Sequence, residues 1–121
     1  MGRSIIKQMK LGTLKHKLDS KTQAERPQGY CEVCGSPAEV YHHFIQKSQS
    51  EFLRYHIKNL IQLCSACHFK HHKGDPAIVA AIIKARGRTW YNWINEHRHI
   101  LVKQDKAYQQ KLEKLLKEAS Q

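Results

Sequence analysis

Hydrophobic positions recur at two different periods along this 121-residue chain, and the changes of period mark its elements. Ile5, Ile6, Met9, Leu14 and Leu18 fall near helical spacing, are interrupted at Gly12, and end at the turn-like "RPQG" of 26–29. That pattern predicts a basic arm or short helix over residues 1–29. Glu39 to Ile45 is β-branched and aromatic and predicts a strand, a candidate first arm of a hairpin. Residues 50–56 read as a short helical or irregular segment, and "NLIQLC" follows, apolar at Leu60, Ile61 and Leu63. A helix is predicted from Ser65 to "KGDP", where Gly74 and Pro76 stop it. Three more are predicted at Ala77 to Ala85, closed by Gly87, at Thr89 to His99, and at Gln104 to Ala119.

Two apolar stripes follow from these helices. Trp90, Trp93 and Ile94 stand at i, i+3 and i+4, a core-facing pattern, with base stacking by Trp90, Tyr91 and Trp93 as the alternative. Tyr108, Leu112, Leu115 and Leu116 form another, expected to dock on the domain, with dimerisation as the alternative. A chain of this size with 40% hydrophobic residues buries only a modest core. Small scaffolds of that kind borrow stability from a metal or a disulfide.

Charge adds a partner class. The net charge is +11, with +5 on residues 1–30, +1 on 31–75 and +5 on 76–121. Basic flanks around a near-neutral centre suit a phosphate backbone, because each neutralised phosphate releases counterions. The plainer alternative is a soluble basic protein. No apolar run approaches the length of about 20 residues that a membrane span needs. Met1 to Gly12 has no signal-peptide core, and residue 6 is Ile where a myristoylation motif has Ser or Thr. These features predict a soluble, intracellular, cytoplasmic protein without membrane partners, in whose compartment close cysteine pairs act as metal ligands more than as disulfides.

Cys31 and Cys34 form one C-x2-C pair, and Cys64 and Cys67 form another after 29 intervening residues. Two such knuckles supply four thiolates for tetrahedral zinc. A site of four thiolates has no open position, so it is expected to be structural. His68 and His72 lie four residues apart on the predicted helix and share one face, a common metal grip. Exposed histidines of a basic helix are the alternative. His71 is expected on a different face, as a solvent or phosphate contact.

"CEVCG", then "YHHFI", then "KNLIQLCSACHFKHH", in this order and spacing across Cys31 to His72, resembles the HNH endonucleases. The resemblance implies an α+β chain: a zinc-stapled ββα-metal core over 30–76, the basic N-terminal arm over 1–29, and a basic helical extension over 77–121. It implies a metal-dependent DNA endonuclease, a phosphodiester hydrolase acting on duplex or branched DNA. His43 would be the general base, Asn59 the residue linking the loop and orienting the base, and His42 and His68 metal ligands. His72 stands where nucleases with all-histidine sites carry a further ligand.

The chemistry calls for those residue types. An imidazole titrating near neutrality suits proton removal from water, and a divalent ion suits charge on the scissile phosphate and the leaving 3′ oxygen. Family resemblance implies a 5′-phosphate and a 3′-hydroxyl as products. Most members carry Asp where this chain has His42, so the ligand set favours Mn²⁺, Co²⁺, Ni²⁺ or Zn²⁺ over Mg²⁺. Candidate DNA contacts are Arg3, Lys7 and Lys10 in the arm, Lys47, Arg54 and Lys58 between base and asparagine, and Arg86 and Arg88 beyond the core. The expected setting is phage or mobile-element DNA recombination or processing, by nicking or double-strand cleavage, as a monomer or homodimer. Two other functions stay open: a non-catalytic zinc-dependent DNA-binding module, and an interaction protein whose histidines bind metal incidentally.

Overall fold

The computed structural model describes residues 9–24 and 29–119. Arg3, Lys7 and residues 26–28 of the "RPQG" turn lie outside the described residues. The chain divides into two compact units, Met1–Glu25 with Val102–Gln121, and Arg26–Leu101.

The second unit is built on a two-stranded antiparallel hairpin, β1 (Val40–His43) and β2 (Leu60–Leu63). Their register pairs Val40 with Leu63, Tyr41 with Gln62, His42 with Ile61 and His43 with Leu60. β1 is shorter than its apolar run predicts, because Phe44 and Ile45 bend away to bury themselves beside the connecting loop. That loop carries α2 (Glu51–Arg54), capped by Ser50 Oγ accepting from Leu53 N, and a 3-10 turn over Ile57–Asn59.

Helix α3 (Ser65–His72) leaves the end of β2 directly. It stops where Gly74 takes φ +80°, a conformation that costs a side-chain-bearing residue and that glycine adopts freely. Asp75 then caps α4 (Pro76–Arg86) by accepting from Ala77 N at 2.9 Å, and Pro76 sits at the first helical position, where no N–H is needed. Gly87, at φ +98°, turns the chain into α5 (Arg88–His97).

The core of this unit gathers Leu53, Ile61, Leu63, Ile82 and Ile94, all fully buried, with Ile78, Phe44, Ile45, Cys31, Cys64 and Cys67 around them. Trp90 and Trp93 are half-buried against it, as the i, i+3, i+4 stripe predicts. A two-stranded hairpin followed by α3, with further helices around it, is what the structure contains, and the α+β class follows.

In the first unit α1 (Leu11–Ala24) packs on α6 (Lys106–Ala119). Leu14 and Leu18 are buried, as are Leu112 and Leu116, each pair one turn apart so that the two stripes meet. Thus the last helix, expected to dock on the domain, finds its partner in α1. Gly12 does not interrupt α1; it lies within the first turn, where its cost is small. Among the described residues no helix is long and apolar enough to cross a membrane.

Candidate active site and metal centre

The cysteine knuckle is shaped before any ion is considered. Cys31 N donates to Ser36 O at 2.6 Å, Gly35 N donates to Cys31 O at 3.0 Å, and Gly35 takes φ +78°. This tight turn aims Cys31 and Cys34 at the start of α3, where Cys64 precedes the helix and Cys67 sits one turn in. The four Sγ atoms lie within 4.8 Å of one another, and Cys34 Sγ is 3.6 Å from Cys64 Sγ. Tetrahedral zinc at about 2.3 Å from each sulfur would separate them by about 3.8 Å, so the four cysteines can bind structural zinc. Among the described residues they are the only group of three or more metal-binding side chains that converges this closely. Hydrogen bonds to Ser36 lower the Cys34 thiol to about 6, favouring a thiolate, whereas burial pushes Cys67 well above the usual thiol range.

Strand alternation separates His42 from His43. Neighbours in a strand point to opposite faces, so His42, paired with Ile61, meets α3 while His43 turns to the loop. The His42 ring lies 4.5 Å from that of His68 and 4.7 Å from that of His71, centroid to centroid. His42 Nε2 is 2.6 Å from His71 Nδ1. His72 is exposed, its ring 6.4 Å from that of His68. Burial, then the neighbouring imidazoles of His71 and His68, lower His42 to about 3. Burial likewise lowers His68 and His71. These rings are therefore neutral at pH 7, the form in which imidazole ligates a metal. The donor set fits a borderline divalent cation in kind.

His43 is buried, 6% exposed, and its Nε2 lies 2.8 Å from Arg54 O. Asn59, fully buried, stitches the loop that presents this carbonyl. Its Oδ1 accepts from Ile45 N at 2.8 Å, and its Nδ2 donates to Ile45 O at 3.0 Å and Leu53 O at 3.2 Å. The amide thus holds both ends of the loop, and each of its buried polar atoms is satisfied.

Beneath the 3-10 turn runs a brace that local periodicity does not reveal. Arg86 Nε meets Glu32 Oε1 at 2.6 Å and Arg86 Nη2 meets Oε2 at 2.9 Å, while Nη2 also donates to Leu60 O at 2.8 Å. Glu32 Oε2 accepts from Gln62 N at 2.7 Å. Trp90 Nε1 donates to Lys58 O at 2.8 Å. Arg86, expected among the DNA contacts, is gripped by the fold in this structure, its fork meeting a carboxylate and backbone carbonyls. Trp93 has neighbours too, with His97 stacked on it at 4.1 Å, His56 tilted against it at 4.7 Å and Lys58 Nζ 4.4 Å from its ring centre.

The remaining cations are spread around this unit and its neighbour. Arg54 pairs with Glu51 at 3.5 Å and lies over Tyr55. Lys47 is half-buried, Lys58 and Arg88 are exposed, and Arg88 lies over Tyr91 at 5.7 Å. Lys10 is exposed just ahead of α1 in the other unit.

A hairpin and a helix clasped by four cysteines, with histidines from strand and helix side by side, define a small cysteine-stapled ββα domain. Residues 31–74 match the family described as HNH endonuclease. A curated relative described as a mitochondrial DNA mismatch repair protein mutS homolog, from Sarcophyton glaucum, is 36% identical over 53 residues, 40% of this chain. The match spans only 5% of that much longer protein. No solved structure gives a match.

Proposed function

We propose that this chain is a metal-dependent HNH endonuclease that hydrolyses phosphodiester bonds in DNA. The observation that carries the proposal is the hydrogen bond between His43 and Arg54 O. A carbonyl only accepts, so Nε2 bears the proton and Nδ1 keeps the lone pair in the neutral ring. His43 Nδ1 would take a proton from the attacking water as the water oxygen bonds to phosphorus and the bond to the 3′ oxygen breaks. The products would be a 5′-phosphate and a 3′-hydroxyl. Asn59 would act as a positioning residue, fixing the loop whose carbonyl sets the tautomer of His43.

His42, His68 and His72 would hold the divalent ion, with His71 against His42. When bound there, Mg²⁺, Mn²⁺ or Ni²⁺ supplies Lewis-acid stabilisation of the scissile phosphate and leaving oxygen. Zn²⁺ on Cys31, Cys34, Cys64 and Cys67 would be structural, fixing α3 and through it His68. Lys47, Arg54, Lys58 and Arg88, with the arm residues Arg3, Lys7 and Lys10, are the proposed phosphate contacts. DNA as the partner is supported by the HNH match and by likeness to a stretch of a DNA mismatch repair protein. Phage or mobile-element DNA processing is the setting we propose from the small basic layout. Incubation of supercoiled plasmid with the zinc-loaded chain and each divalent ion in turn tests the function, and relaxed or linear product is expected.

A further inference from the structure

One apolar side chain stands out of the loop that serves His43. Ile57 is 78% exposed, between His56 and Lys58 at the start of the 3-10 turn. Single exposed hydrophobic residues are ordinary, but the backbone under this one is held from every side. His56 Nδ1 accepts from Lys58 N at 3.2 Å, and Asn59 N donates to His56 O at 2.9 Å. Lys58 O accepts from Trp90 Nε1, and the Asn59 side chain is locked in the core. His56 is wedged against Trp93. The turn therefore projects an isoleucine rigidly outward instead of letting it fold back on the protein.

The surroundings fit a polyanion. Lys58 is the next residue, and Arg54 and Lys47 lie in the same loop. Ile57 follows Arg54, the carbonyl partner of His43, by three residues, which limits the distance between their backbones to about 11 Å, some three base-pair steps. An apolar side chain on a rigid, cation-flanked turn at that distance from a reacting phosphate is placed to enter a base step and kink the duplex.

We propose that Ile57 is a wedge that unstacks one base step of duplex DNA beside the cleaved phosphate, bringing that phosphate to His43. This rests on the nuclease reading above. The kink would expose the scissile linkage to in-line attack, and the cut would favour steps that unstack easily, such as TA and CA/TG.

The test begins by mapping the cut made by the wild-type chain on a fixed duplex with divalent ion. 2-Aminopurine is then placed at successive positions on both sides of that cut, and fluorescence is read with the inactive His43→Ala chain. A several-fold rise confined to one step within about four base pairs of the cut is expected. It should be lost in His43→Ala/Ile57→Ala, with duplex affinity changed no more than a few-fold, and kept in His43→Ala/Ile57→Phe. Because Ile57 is exposed, its replacement leaves the core intact. In the His43 background, Ile57→Ala should cut the matched duplex about ten-fold more slowly and recover on a duplex mismatched at that step, where unstacking costs less. A duplex that is cut but shows no local rise, or the same rise with Ile57→Ala, overturns the wedge and leaves the nuclease reading standing. If no duplex is cut with any divalent ion, the nuclease reading fails and the wedge with it.

Discussion

His43 Nε2 and Arg54 O stand 2.8 Å apart, and this contact joins the proposed base to the loop that the buried Asn59 amide holds. Arg54 follows Leu53, whose carbonyl Asn59 Nδ2 holds at 3.2 Å. On the proposed mechanism, Asn59 would thus set the geometry of His43 without touching substrate.

Replacing Asn59 with Asp should show this directly. A carboxylate cannot donate to Ile45 O or Leu53 O, and burying a charge at a fully buried position is costly. We expect Asn59→Asp to lose about 2–3 kcal/mol in urea unfolding of the zinc-loaded protein. An unchanged midpoint would mean that these bonds do not anchor the loop.

Arg86 and Lys58 should separate fold from DNA contact. Arg86→Ala removes the fork from Glu32 and Leu60 O and should destabilise by about 1–3 kcal/mol, leaving the salt slope of DNA binding unchanged. Lys58→Ala should reduce that slope by about 1 and leave stability nearly unaltered. Reversed outcomes in salt titrations would return Arg86 to the phosphate contacts.

Much of this arrangement was legible in the residues. The C-x2-C pairs, the strand within Glu39–Ile45, the helix from Ser65 and its stop at Gly74 are local signals, and they lie where spacing and propensity put them. The i, i+4 spacing of His68 and His72 does not reveal that His71 also turns toward the hairpin. At i+3 from His68 it is turned by only roughly 60° the other way, so it too reaches β1. The Glu32–Arg86 brace joins residues 54 apart, and no periodicity marks such a pair. The stripe of α6 was visible, but a stripe does not name its partner, which is α1.

The two proposed metal sites are expected to be coupled through α3, since Cys67 and His68 are adjacent. Cys67→Ser should lower bound zinc, measured by mass spectrometry of the native protein, and reduce cleavage together with it. Full cleavage by a stable, zinc-free Cys67→Ser protein would contradict the coupling.

Stability should fall on acidification. The folded state holds His42 at about 3, below the ordinary imidazole value of about 6.5, so between these limits the unfolded chain binds the extra proton. The contribution is present above about pH 6.5 and is lost progressively as pH falls toward 3. His68 and His71 act in the same direction. A thermal midpoint lower at pH 5 than at pH 7, with the drop reduced in His42→Phe, is the expected result; equal drops in both proteins would exclude His42 as a source.

Metal preference should follow the imidazole ligands. Mn²⁺ or Ni²⁺ is expected to support cleavage at least as well as Mg²⁺ in parallel titrations. Activity with Mg²⁺ alone would contradict this ligand set.

The most direct test is His43→Ala, assayed for plasmid cleavage, zinc content and DNA affinity on the same preparation. If His43 is the base, cleavage falls by a factor on the order of 10²–10⁴ while zinc and DNA binding persist. Cleavage within a few-fold of the unaltered chain, in a protein that is folded and zinc-loaded, would contradict the account at its centre.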